Sequence, residues 1–288
     1  MSDSNGLGLL VDETPAIQEA HIRTIGSLNQ LPVTFRAKDI NKIPPKWETP
    51  ITVFNQGQTS SCSGHAGAAN FMHRQYVETD EVINYSPWFM YIKSQQRGGF
   101  AGRDQGTSIG SVLKAATLDG CCLQKLCRIP DHYTTVLPPE AVKDAAQHKH
   151  LGDAVDLRDF SRLMDWLTDL RSAIIGTKWY SSQGNVKNIE TKQLGTGGTF
   201  RGYHARALIG WDTIAGELCP RVLNSHGADW GTNGRATIEH ALWDVWLKDP
   251  NFVCLGFTDI TERIPARRDW SGYNWVGTRV PDWINNIA

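Results

Sequence analysis

Apolar positions recur along this chain at two periods, and the change from one to the other divides it. Over residues 62–77, Ala66, Ala69, Met72, His73, Tyr76 and Val77 return at steps of three and four, which predicts a helix with one buried stripe. Ser86-Pro87 marks a second helix start, since proline is tolerated in the first turn, and Trp88, Tyr91 and Ile92 follow on one face. Ile109, Val112, Leu113 and Ala116 predict a third helix ending at Gly120. Pro138-Pro139-Glu140 opens a short one, and Leu157, Phe160, Leu163, Met164, Leu167 and Leu170 define an amphipathic one; a weakly helical patch covers residues 17–25. Beyond Leu170 the pattern changes to strands, over residues 173–179, 204–211, 220–224, 235–238 and 252–258, with 211–223 forming an extended hairpin. Helices first and strands later indicate an α+β protein with two halves, and no internal repeat or low-complexity segment interrupts them.

Composition narrows the partners more than the fold. With 288 residues, 40% of them hydrophobic, the chain can bury one large core or two packed ones. A net charge of −1 supplies no field for nucleic acid or an anionic membrane, so neither partner is expected. No apolar run is long enough to span a bilayer. The opening Met1-Ser2-Asp3-Ser4-Asn5-Gly6 has no basic region, and Leu7 to Val11 is too short for a signal-peptide core, so classical export is not expected. Six cysteines in a chain of this length do not make a disulfide framework. His65, His73, His226 and His240 form no His-x3-His pair with a partner, and Cys121, Cys122 and Cys127 lack a fourth ligand at zinc spacing. No metal or cofactor is expected, and Cys121, Cys122, Cys127, Cys219 and Cys254 read as core residues. The glycines at 98–99 and 195–198 lack the lysine and the strand-loop-helix setting of a phosphate loop.

The stretch Val53-Phe54-Asn55-Gln56-Gly57-Gln58-Thr59-Ser60-Ser61-Cys62-Ser63-Gly64-His65-Ala66 carries the chemistry. It runs through a glycine turn and small hydroxyl residues to a cysteine at the start of a helix, where unpaired amides favour a thiolate over a thiol. Gln56 lies six positions earlier, and Gly57 permits a turn that brings its amide beside the sulfur as one oxyanion donor, the Cys62 N–H being the other. Downstream come Gly202-Tyr203-His204-Ala205 and Asn224-Ser225-His226-Gly227-Ala228-Asp229-Trp230-Gly231-Thr232-Asn233-Gly234, which offer a base and an amide to orient it. Taken singly, Cys62 suits a buried small hydrophobe, His204 a structural strand histidine and Asn224 a turn residue. Their joint order carries the weight.

In this order and spacing the chain resembles the papain family of cysteine peptidases. His204 and Asn224 follow Cys62 by 204 − 62 = 142 and 224 − 62 = 162 positions, the second somewhat long because of the hairpin. The resemblance implies an α+β, papain-like two-lobed fold, with a helical left lobe, an antiparallel β-barrel-like right lobe and the active-site cleft between. It implies a leader over 1–30, a helical lobe with the nucleophile over 31–135, a β-rich lobe with His204 and Asn224 over 136–258, and a Trp-rich tail over 259–288 open to a protein partner. Residues 31–36 resemble the start of a mature domain, leaving a leader much shorter than the family's inhibitory pro-regions but still able to cover the cleft. The implied activity is hydrolysis of peptide bonds by Cys62, His204, Asn224 and Gln56, which needs a sulfur that solvent can reach. Gly106-Thr107-Ser108 resembles the turn that binds substrate backbone, with Gly98-Gly99 a competing match. Thr59 stands where secreted relatives carry a disulfide cysteine, which fits a reducing compartment, either cytoplasm or a virus-like particle.

Three positions depart from the family pattern. Ser63 replaces the aromatic residue after the nucleophile, His226 replaces a tryptophan that shields the His-Asn hydrogen bond, and Arg206 occupies a normally apolar strand position. These departures, with the tail, keep two alternatives open: a structural or docking subunit of a larger assembly with weak or single-use activity, and acyl transfer or deamidation by the same residues.

Overall fold

A computed structural model describes residues 7–10, 43–150, 154–184 and 197–257; the expectations for the 17–25 helix, the 31–36 start and the 259–288 tail lie outside these. Seven α-helices and seven strands alternate through the described residues, with helices dominating the first half and strands the second. Helix α1 (Cys62–Thr79) is the central one. Its expected single stripe understates its burial: every residue from Cys62 to Phe71 is buried, because Gly64, Ala66, Gly67, Ala68 and Ala69 let neighbours approach on all sides. A methyl on Gly64 would lie 2.6 Å from Tyr91 Cβ of the next helix. That helix, α2 (Pro87–Gly98), starts at the predicted Ser86, whose side chain accepts from Phe89 N, and ends on a left-handed Gly99. Gly98-Gly99 is therefore a helix terminus.

Helix α3 (Ile109–Leu118) is capped by Ser108, and the short helix after the paired prolines is α4 (Pro139–Ala145). The amphipathic stretch forms α5 (Phe160–Thr168) and stops where Leu170 takes a φ of 62°. A four-residue turn, α6 (Ser181–Gly184), follows the third strand, and α7 (His240–Leu247) was not anticipated because its apolar residues continue directly from a strand pattern.

One antiparallel sheet in the order β2-β7-β3-β4-β5-β6 carries the second half, from β2 (Ala154–Asp156), β3 (Ala173–Tyr180), β4 (Phe200–Ile214), β5 (Glu217–Leu223), β6 (Arg235–Thr237) and β7 (Val253–Phe257). The two-residue β1 (Trp47–Glu48) pairs with β4. The expected hairpin joins β4 to β5 through Ala215 and Gly216, both at positive φ, as a tight hairpin requires. Direct partners on antiparallel strands share a face, and the register sets Thr177 opposite His204 and Ile175 opposite Arg206. Thr177, Trp179, His204 and Arg206 thus lie on one face of the sheet, and α1 packs against β3 and β4. The main core spans α1 and this sheet, and a smaller cluster around Trp88, Phe89, Tyr91 and Ile92 lies among the helices.

Candidate active site

Cys62 is the first residue of α1, and β4 brings the backbone of Ala205 against its sulfur. The sulfur has no exposed surface. An open groove was expected, but residues 7–10 close it at this point: the backbone of Gly8 hydrogen-bonds the sulfur. Leu9 forms a parallel bridge with Thr107, Thr107 N donates to Gly8 O at 2.9 Å, and Leu10 N donates to Thr107 O at 3.1 Å. Only glycine fits, since a Cβ on Gly8 would stand 1.6 Å from Ser60 O and one on Gly106, at φ 91°, 2.0 Å from Gly8 O. The 106–108 turn therefore binds extended backbone here, and the backbone is the chain's own.

Burial is the largest influence on the Cys62 thiol and raises its pKa above the ordinary value, against smaller lowering contributions from the Ala205, Gly8, Ser63 and Cys62 backbone. In the covered state the helix N-terminus does not suffice to hold a thiolate.

His204 is fully buried on β4, with Nε2 2.7 Å from Asn224 Oδ1. Asn224 Oδ1 also accepts from Ser225 N at 2.9 Å, which fixes it as the oxygen and makes His204 Nε2 the donor. His204 Nδ1 is left with its lone pair and no partner. Burial, then His226 and Arg206, hold the imidazole well below its ordinary pKa, while the Asn224 hydrogen bond opposes them.

Gln56 is buried in the predicted turn, Thr59 N donating back to Gln56 O at 3.2 Å with Gly57 at φ 59°. Its Nε2 donates to Thr59 O at 2.7 Å, and its Oε1 accepts a short hydrogen bond from Ser225 Oγ. Gln56 N also donates to Ser225 O at 2.8 Å, so the turn before Cys62 is tied to the residue after Asn224.

The shield over His204 is Trp179, which the sequence reading took only as the end of a strand. Its ring lies 4.5 Å from the His204 ring and 1% exposed, so the tryptophan missing at position 226 has a counterpart on β3. His226 packs beside both, 5.0 Å from His204 and 5.3 Å from Trp179, and burial lowers its pKa to about 4. Arg206, puzzling in the sequence, is held between Trp179 at 5.3 Å and Trp246 at 5.2 Å. Its Nη2 donates to Thr177 Oγ1, and burial lowers the guanidinium pKa to about 9. That the first thirty residues could cover the cleft was expected; that residues 7–10 lie over Cys62 was not, and the alternation Gly6-Leu7-Gly8-Leu9 was its only signal. Among the described residues no cluster of histidine, cysteine and acidic side chains could hold a metal ion, and no helix is long and apolar enough to cross a membrane. The five other cysteines are free and buried.

Solved structures of cysteine proteases share this architecture. Xylellain, a cysteine protease from Xylella fastidiosa, is 21% identical, with 88% of this chain and 97% of that chain covered at a TM-score of 0.67. Procathepsin B S9 from Trypanosoma congolense is 14% identical over 89% of this chain and 87% of its own, TM-score 0.61. The Carica candamarcensis cysteine protease CMS1MS2, in complex with E-64, is 16% identical over 72% and 93%, TM-score 0.54. No family model matches the chain, and no curated protein does either. At these identities the likeness is one of fold.

Proposed function

We propose, on the premise that this chain has the papain-like α+β fold, that it is a cysteine peptidase, synthesised with its nucleophile covered by residues 7–10. The observation that carries this is the His204 Nε2 to Asn224 Oδ1 hydrogen bond at 2.7 Å, which leaves Nδ1 free as a base one residue from the backbone that touches Cys62.

Once uncovered, Cys62 passes its proton to His204 Nδ1 and the sulfur attacks the peptide carbonyl carbon. The Cys62 N–H and the Gln56 side-chain amide stabilise the oxyanion. As the C–N bond breaks, His204 returns the proton to the leaving amine, and a thioester remains. Water then attacks the thioester with His204 as base, the C–S bond breaks, and the acid product leaves the thiol restored. Asn224 holds the imidazole in its Nε2–H tautomer without changing charge. The chemistry asks for no metal or cofactor.

Peptide hydrolysis by a Gly8→Ala variant, compared with Gly8→Ala/Cys62→Ala, tests this. Hydrolysis only when Cys62 is present supports a peptidase. No hydrolysis in either, with the chain held in a stable complex, supports the docking alternative instead.

A further inference from the structure

Two turns from distant parts of the chain flank the segment that covers Cys62. Ser60 stands against it, since a Cβ on Gly8 would lie 1.6 Å from Ser60 O, and so does Gly106, since a Cβ there would lie 2.0 Å from Gly8 O. Both turns are tied to one carboxylate. The half-buried Asp104 accepts from Ser60 N, with Oδ1 at 2.9 Å and Oδ2 at 3.1 Å, and Ser60 Oγ donates to Asp104 O at 3.4 Å. Asp104 Oδ1 also accepts from the Tyr91 hydroxyl at 2.6 Å, and that hydroxyl accepts from Gly106 N at 3.0 Å.

The directions of these bonds are fixed. The Tyr91 oxygen accepts from Gly106 N and from Gln95 Nε2 at 2.9 Å, which uses both of its lone pairs, so its single proton goes to Asp104. Both side chains belong to α2 and are fully buried, and Gln95 Nε2 further reaches Arg103 O at 3.1 Å and Gly106 O at 3.0 Å. The loop that carries Asp104 is thereby anchored to α2, and Asp104 accepts at both side-chain oxygens, as a carboxylate does.

Each tied turn leads into a group the chemistry needs. Ser60 precedes Cys62 by two residues, and the Cys62 N–H is one oxyanion donor. Gly106 precedes Thr107, whose N–H and C=O pair with the extended backbone of residues 8–10. We propose that Asp104 is a positioning residue for peptide hydrolysis: it fixes the Cys62 amide through Ser60, and the backbone-pairing turn through Tyr91 and Gly106, at one separation. The positioning role rests on the peptidase reading; the tie between the two turns does not.

Three variants in the Gly8→Ala background test the role, with rates expressed per titratable Cys62 thiol so that loss of folded enzyme does not count. Asp104→Leu removes both links and should lower kcat by about 10- to 100-fold and raise KM, because an ångström of misplacement costs up to about 10²-fold. Tyr91→Phe removes only the Gly106 link and should raise KM about 5-fold, the worth of one hydrogen bond, with kcat held. Asp104→Asn keeps Oδ1 as acceptor for Ser60 N and Tyr91 and should restore most of kcat. A residue that only supports the fold would not separate kcat from KM between these variants. An unchanged kcat in Asp104→Leu, an equal kcat loss in Tyr91→Phe, or a loss that Asn does not restore overturns the role. Iodoacetamide labelling of the chain with Gly8 intact tests the tie without turnover. Asp104→Leu should be alkylated at Cys62 about 5-fold faster than wild type, with Cys254 unchanged; an unchanged Cys62 rate, or an equal rise at Cys254, overturns the tie. If Gly8→Ala hydrolyses no peptide, the peptidase reading has failed, and the labelling alone decides on the tie.

Discussion

Gly8→Ala should expose the nucleophile. A methyl at position 8 would sit 1.6 Å from Ser60 O and 2.2 Å from Ser60 C, so the segment must retreat by more than an ångström. The retreat breaks the Thr107 N to Gly8 O bond of 2.9 Å and the Leu10 N to Thr107 O bond of 3.1 Å. At about 1 kcal/mol each, their loss shifts the balance between covered and uncovered states by about 2 kcal/mol, or roughly 30-fold. Iodoacetamide at about pH 6, where ordinary thiols of pKa about 8.5 react slowly, provides the assay. Peptide mapping should show Cys62 alkylated about 30-fold faster in Gly8→Ala than in wild type, with Cys254, equally buried, as internal reference. Equal rates at Cys62, or a parallel rise at every cysteine, would refute the reasoning, since the second outcome means general unfolding.

Replacing Gln56 by Ala in the uncovered enzyme should lower kcat by about 10² to 10³ through loss of an oxyanion donor, measured by steady-state peptide hydrolysis; an unchanged kcat removes the role. Burial keeps His65 and His226 neutral down to about 4 and holds His204 well below its ordinary pKa, whereas the unfolded chain protonates all three below about 6.5. Stability from these groups is therefore complete above about pH 6.5 and lost as pH falls towards 4, at up to about 4 kcal/mol per pH unit. Urea midpoints that stay constant from pH 7 to 4.5 would contradict this. Glu48 receives Arg221 Nε at 2.7 Å and lies 3.7 Å from Arg235 Nε, and both arginines are buried. Glu48→Ala should cost about 2 kcal/mol, less than a fully buried pair because Glu48 is 24% exposed, and thermal melting should show it; an unchanged melting temperature would count against the network.

How legible each feature was in the sequence depends on how local its cause is. The start of α2 at Ser86-Pro87 and the hairpin through Ala215-Gly216 follow from backbone preferences of a few residues, and they were readable. The meeting of His204 with Asn224 was readable because their spacing and order resemble a known pattern. The burial of α1 on all sides was not, since stripes are read from apolar residues and α1 is packed through its glycines and alanines. Trp179 and Arg206 escaped for a different reason: their roles depend on strand register, which sets Thr177 against His204 and brings a tryptophan from one strand over a histidine on the next. The cover over Cys62 depends on contact between positions 8 and 106, about a hundred residues apart, and nothing in either stretch alone specifies it.

Acyl-enzyme trapping reports most directly on Cys62 as a nucleophile served by His204. Gly8→Ala protein mixed with an activated peptide ester, quenched in acid within milliseconds and digested, should carry one acyl group per chain as a thioester on Cys62, and His204→Ala should form it far more slowly. Acylation at any other cysteine, or at Cys62 with a rate unchanged by His204→Ala, would contradict the proposed chemistry.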